Sequence, residues 1–458
     1  MAEKSNSKEQ SLLRSLCALV IPIALQSLIS AAVNAADVMM LGSVSQEVMS
    51  SVSIAGQITF VLQLFFLGLS GGLSILAAQY WGKGDPGAVE RILAIATGLS
   101  FGVSLLFFAA SEAVPELLLR IFTNDPALIG LGKIYLRALA PSYLLMSVSQ
   151  MFLALMKNTG RASRSTYISA SSLICNIILN AVCIFILFPG NPQAVAAGVA
   201  VSTCAARLLE LVWSAAVTAK SPVRLKKAHL LHPDKTLFSD YGQKTAPMQL
   251  NYIIWGGGVA AVSAIMGHLS SDLVAANAIL STVRNLAIVV CSGIAGGSIL
   301  VGQQLGRNDL ENARTTGKLL CICALVFGAL AGGTMLLARP LVFHFTSLSE
   351  TASGYLRQMF YISAVYCIGK SFNSTVVGGI FCAGGDTKFG MFCDLITMWV
   401  VIIPLGLLTA FVLKWEPVAV FLVLSLDEFV KIPAVVRHYR KGHWLKNLTR
   451  DSAAAEEE

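Results

Sequence analysis

The stretch that decides the fold occurs twice. Residues 72–85 read Gly72-Leu-Ser-Ile-Leu-Ala-Ala-Gln-Tyr-Trp-Gly-Lys-Gly-Asp85, and residues 296–309 read Gly296-Gly-Ser-Ile-Leu-Val-Gly-Gln-Gln-Leu-Gly-Arg-Asn-Asp309. At this offset of 224, seven of 14 positions are identical, where chance composition gives about one. The same offset sets Gly160 on Gly384 and Arg164 on Lys388, and an offset of 225 sets Pro22 on Pro247 and Gly42 on Gly267. The chain reads as a duplication, with the polar stretch from Lys220 to Lys244 between its halves.

Composition says where such halves live. The chain has 458 residues, 55% hydrophobic and only 13% charged, against about 25% charged in an average soluble domain. Its 33 Lys+Arg and 25 Asp+Glu cannot coat a soluble protein of this size. A cytosolic enzyme, a disordered chain and a secreted disulfide scaffold are excluded. The ten cysteines form no C-x-x-C pair and read as small buried thiols, with no metal or redox site.

A membrane-spanning helix needs about 20 mostly apolar residues. Twelve runs qualify: 16–41, 51–80, 92–114, 134–156, 166–188 and 195–217, then 246–267, 274–304, 317–338, 355–381, 388–412 and 416–436. The first is too long for a signal-peptide core and should stay in the membrane. The expected fold class is an all-α integral membrane protein with twelve transmembrane helices in two six-helix lobes. Six is even, so both halves enter the bilayer from the same side. They are then related by a pseudo-two-fold axis along the membrane normal, with a substrate site between or within them. The expected organisation is a tail over 1–15, an N-lobe over 16–217, a connecting loop over 218–245, a C-lobe over 246–436 and a second tail over 437–458.

With the amino terminus in the cytoplasm, 23 of the 33 basic residues fall on the cytoplasmic side, six outside and four within spans. The positive-inside rule therefore expects both termini in the cytoplasm and a multi-pass protein of the cell's inner membrane. The net charge of +8 is then a property of membrane orientation, not a nucleic-acid surface. Lys83 lacks the Ser/Thr and glycine spacing of a phosphate-binding loop, and Gly256-Gly257-Gly258 reads as helical glycine. With no nucleotide motif, cofactor or catalytic residues expected, an ion gradient should drive any transport.

An ionisable residue inside the bilayer is a functional candidate by default, because burying it costs a few kcal/mol or more. Asp37 stands in an otherwise uncharged span, and Asn34 shares its helix face at i, i+3. Asp37 lies roughly 7–8 Å from the outer end of the first span, and Asn180 and Thr203 roughly 12 Å from the outer ends of theirs. Asn176 and Asn180 are i, i+4, so Asp37, Asn176, Asn180 and Thr203 can converge in the outer half of the first lobe. A proton and a cationic substrate could compete for such a carboxylate. The second lobe has no acid in its first span. It offers Gln249, Asn251, Tyr252 and Trp255 there, Arg284 in its second span, and Lys370 and Asn373 in its fourth. Asp427, Glu428 and Lys431 are expected to pair with one another, and Arg207 with Glu210.

These residues resemble the multidrug and toxic compound extrusion (MATE) family of secondary transporters over about residues 12–445. The resemblance rests on Pro22, Asp37 and Gly42 in the first span and on the duplicated Gly-to-Asp segments. It rests also on Thr159-Gly160-Arg161 matched by Ala383-Gly384-Gly385-Asp386-Thr387-Lys388, on Asn176 with Asn180, and on Trp399 with Pro404. It implies export of cationic, amphipathic small molecules in exchange for H⁺ or Na⁺, by a monomer in the lipid bilayer. Asp37 is implied as the coupling acid, with Asn34, Asn176, Asn180 and Thr203 around it. Some relatives carry Asp where this chain has Asn180, and many carry Glu where it has Tyr252, which favours H⁺. The alternative is a lipid-linked oligosaccharide flippase of the same superfamily, whose cavity would use Arg207, Arg284 and Lys370 for a pyrophosphate.

Overall fold

The computed structural model describes residues 2–346 and 348–450; the side chains of 2–13, 34, 35, 38 and 345 lie outside that description. Among the described residues there is no strand. Twelve helical rods follow one another, and each expected span falls on one of them. They are α1 (Ala2–Gly42), α2 (Gln46–Lys83), α3 (Pro86–Ala113), α4 (Pro126–Leu139 and Pro141–Asn158), α5 (Ala162–Leu187) and α6 (Pro192–Ala219). Then come α7 (Lys235–Leu269), α8 (Ser271–Gly306), α9 (Leu310–Phe345), α10 (350–381), α11 (Thr387–Val412) and α12 (417–441). Among the described residues, nine are long and apolar enough to cross a membrane, and the bent pair of α4 makes a tenth. The other two are α10, polar toward its end with Lys370, Ser371 and Asn373, and α12, broken into three short pieces around Asp427, Glu428 and Lys431.

The duplicated segment has a local mechanical meaning. Gly84 has φ +86° and closes α2, while the carboxylate of Asp85 accepts from the Ala88 N–H at 2.9 Å and opens α3. In the second copy Asn308 has φ +60°, and Asp309 accepts from the Asn312 N–H at 3.2 Å to open α9. A left-handed residue followed by an Asp N-cap is a stop-and-restart turn, which Gly and Asn tolerate best. The turn after α4 uses Gly160 at φ +75°, and its partner in conformation is Gly385 at φ +72°. Gly384, the residue aligned by sequence, has instead the backbone of Trp444 where a side chain would stand. The duplication is thus offset by 225 at this turn.

Prolines shape the rods. α4 bends by 47° where Ala140 meets Pro141, since proline supplies no N–H and restricts the residue before it. In α11, Pro404 follows a π-helical stretch, Ile396–Ile402, and a second, Leu408–Val412, lies beyond it. Extra residues per turn accommodate the lost donor.

The chain divides into two compact units, residues 29–243 and residues 1–28 with 244–458. The first half of α1 belongs to the second of these. There Gly293 and Gly296 of α8 bring it close: a Cβ on Gly293 would lie 2.6 Å from the Val20 carbonyl, and one on Gly296 2.6 Å from Ile23 Cδ1. In the unit 29–243, the connecting segment is more ordered than a bare loop. Glu90 of α3 accepts the Arg224 N–H at 2.9 Å and pairs with Lys226 at 2.5 Å, and Tyr241 donates to the Leu69 carbonyl at 2.7 Å. α7 starts at Lys235, earlier than the apolar run alone indicates, because Asp234 caps the Thr236 and Leu237 N–H groups at 3.0 and 3.1 Å.

Candidate functional site

In the unit 29–243, three helices bring polar side chains together. Asn176 and Asn180 point from one face of α5, and the helix passes into a π-helical turn, Val182–Leu187, directly after them. α6 starts at Pro192 with Asn191 capping the Ala194 N–H at 3.1 Å, which sets Thr203 at its depth. Gly198 lets α6 approach α5, since a Cβ there would lie 3.3 Å from Cys183. α1 contributes Asp37.

The hydrogen bonds form a directional relay. The Thr203 hydroxyl donates to the Val199 carbonyl at 3.0 Å and accepts from the Asn176 amide at 3.3 Å. The Asn176 carbonyl oxygen accepts from the Asn180 amide at 3.4 Å, and that amide donates to Asp37 Oδ1 at 3.0 Å. Asn180 is 2% exposed and Asn176 8%, while Asp37 is half-buried. The buried Asn180 Oδ1 has no hydrogen-bond partner. Among the described residues no lysine or arginine pairs with Asp37. The half-buried carboxylate thus has one side-chain amide as its hydrogen-bond partner among the described residues. Asn34 lies on the same helix, but its side chain is outside the described ones.

The unit 1–28 with 244–458 holds a second buried polar cluster. Glu428 of α12, 1% exposed, pairs with Lys370 of α10 at 3.0 Å and with Lys431 at 2.9 Å. Asn373 of α10 donates to Glu428 Oε2 at 2.9 Å and to its backbone carbonyl at 2.6 Å. Lys431 also reaches Asp394 of α11 at 2.9 Å. The Lys370 ammonium stands 5.4 Å from the ring centroid of Trp255. Gln249, Asn251 and Tyr252 lie one to two turns before Trp255 on α7, and no hydrogen bond joins Asn251 or Tyr252 to the cluster. The glycines of α7 are packing sites: Trp399 of α11 donates to the Ile254 carbonyl at 3.1 Å, and a Cβ on Gly257 would lie 3.1 Å from its ring.

Pairing within α12 alone is therefore a correction. Lys431 and Glu428 do pair, but Glu428 takes Lys370 from α10, and Lys431 takes Asp394 from α11. Arg207 pairs with Glu210 at 3.1 Å as helix spacing indicates. Glu210, 1% exposed, also accepts from Ser149 at 2.7 Å and Gln150 at 3.2 Å, both on α4. Neither cross-helix pair is visible in local spacing. The available signal is a rule: a charge inside a span must find a partner.

Comparison with known proteins agrees with this fold. A family model described as MatE matches once in each half, over residues 22–182 and 247–408. The chain is 25% identical over 446 residues to the uncharacterized transporter YisQ of Bacillus subtilis, covering 94% of this chain and 95% of that protein. It is 24% identical over 433 residues to a probable multidrug resistance protein NorM of Bradyrhizobium diazoefficiens, covering 92% of each. A solved MOP superfamily transporter from Pyrococcus furiosus superposes with a TM-score of 0.85 at 16% identity, over 97% of this chain and 96% of that one. That last likeness is one of fold.

Proposed function

The chain belongs to the MatE family of membrane transporters, and we propose that it exports cationic, amphipathic small molecules by antiport, with H⁺ rather than Na⁺ as the coupling ion. The observation that carries this reading is Asp37: a half-buried carboxylate among membrane helices, held by one amide at 3.0 Å and unpaired by any cation among the described residues. The relatives named for multidrug resistance support the substrate class.

The coupling step follows from the relay. With Asp37 ionised, the Asn180 amide donates to it. A proton on the Asp37 carboxyl weakens this charge-assisted bond and removes the negative charge that holds a cationic substrate. Release of that substrate follows; the protonated carrier returns and gives up its proton inside, which restores the carboxylate for the next substrate. Asn176 and Thr203 keep the Asn180 amide oriented. The carrier is read as a monomer of the cytoplasmic membrane with both termini inside.

Two buried carboxylates bear on the flippase alternative. Arg207 is engaged by Glu210, and Lys370 by Glu428. Of the three cations that alternative calls on, these two are engaged and Arg284 packs over the Tyr366 ring, which favours the organic-cation reading. The test is Asp37→Asn, which should fold normally and bind amphipathic cations weakly. It should lose proton-driven efflux of an ethidium-like dye. Normal efflux by this variant would contradict the proposal.

A further inference from the structure

Outside the Asp37 site, the largest assembly of membrane-buried charge surrounds Glu428. Three carboxylates lie in or beside it: Glu428 and Asp427 of α12, 1% and 7% exposed, and Asp394 of α11. Two cations pair with them, Lys370 and Lys431. Arg284 of α8 lies 5.1 Å over the ring of Tyr366, one turn before Lys370 on α10.

Lys370 differs from Lys431 in two respects. Its side chain is 25% exposed, against 9% for Lys431, so it is the cation nearer to open space. Its ammonium also sits where a mobile cation would be recognised. Glu428 Oε1 is 3.0 Å away and, buried, accepts no aligned hydrogen bond. The Trp255 face is 5.4 Å away. The buried Asn373 Oδ1 has no partner, although its amide is fixed on Glu428. A carboxylate oxygen and an aromatic face on one ammonium are the groups that recognise a monovalent cation. Gly369 allows the close approach, since a Cβ there would lie 3.1 Å from Glu428 Cβ.

We propose that Lys370 is a built-in counter-cation: its ammonium occupies the monovalent-cation place between Glu428 Oε1 and the Trp255 face, so this unit takes up no external cation. Removing it strips Glu428 Oε1 of its cation, while Lys431 stays on Oε2, and opens a place for Na⁺ or a small quaternary ammonium. This bears on transport through the antiport reading, because it confines ion coupling to Asp37. Ion binding to the purified protein tests it without reference to transport, so the two can fail separately.

The full chain in detergent is melted in NaCl, tetramethylammonium chloride or N-methylglucamine chloride at equal ionic strength. The wild type should show no difference among the salts. Lys370→Met should be stabilised by Na⁺ or tetramethylammonium, by about 2 °C or more at saturating salt, and the double variant with Glu428→Gln should lose that response. The choice between the two salts tells whether the Glu428 carboxylate or the Trp255 face dominates. A salt response of the wild type that Glu428→Gln abolishes would overturn the proposal, and so would a folded Lys370→Met with no response. Should Lys370→Met fail to fold, either cation present during extraction should restore monodisperse protein where N-methylglucamine does not. Absence of that rescue would count against the proposal.

Discussion

Glu210 and Glu428 are buried in membrane helices and neutralised by cations of this chain, whereas Asp37 has an amide for company. On the antiport proposal, the difference separates structural charges from a working one. Removing one partner of a buried pair is strongly destabilising, by about 3–5 kcal/mol, because the other charge is left uncompensated. Glu210→Ala should therefore lower the melting temperature by several degrees, and the double variant Arg207→Met/Glu210→Met should recover much of the loss. Equal melting of Glu210→Ala and wild type would show that Glu210 is not a structural counter-charge. At the proposed transport site, Asn180→Leu removes the amide that donates to Asp37. A hydrogen bond to a charged group contributes about 1.5–3 kcal/mol, so dye efflux should fall about tenfold or more with little change in melting. An unaltered rate would remove Asn180 from the coupling step.

Among the elements, the turns of the duplicated segment make the sharpest prediction. Gly84 and Asn308 both stand at positive φ, a conformation that costs a residue with a Cβ roughly 1–2 kcal/mol. Gly84→Ala should destabilise by about 1 kcal/mol and Asn308→Gly should be neutral or stabilising; thermal melts of the two variants check the signs. The twelve rods were legible because apolar runs of spanning length are separated by turns and polar segments, and the caps Asp85 and Asp309 sit in plain view beside them. What was not legible has physical causes. The bend in α4 depends on how neighbours fill the angle at Pro141. The breaks in α12 occur where Asp427, Glu428 and Lys431 need partners from other helices. The polar face of Asn176 and Asn180 followed from helix spacing, but the bond from Asn180 to Asp37 joins residues 143 apart, a contact that only packing creates. The pairing of Lys370 with Glu428 was hidden for the same reason.

At the scale of the whole molecule, the distribution of 33 Lys and Arg residues is a statement about sidedness. In a cysteine-free background, Asn124→Cys should react with an impermeant maleimide added to intact cells, and Asn308→Cys should react only after lysis. Both residues are exposed. The reverse labelling would invert the orientation, and with it the direction in which a proton gradient could drive export. The central claim joins sidedness to chemistry, since Asp37 must meet outside protons to exchange them for a substrate carried out. It is tested most directly by dye transport in proteoliposomes under a proton gradient alone and a sodium gradient alone. The proton gradient should drive dye movement in the wild type but not in Asp37→Asn, and the sodium gradient should drive none. Sodium-driven movement in the wild type, or proton-driven movement that survives Asp37→Asn, would contradict it.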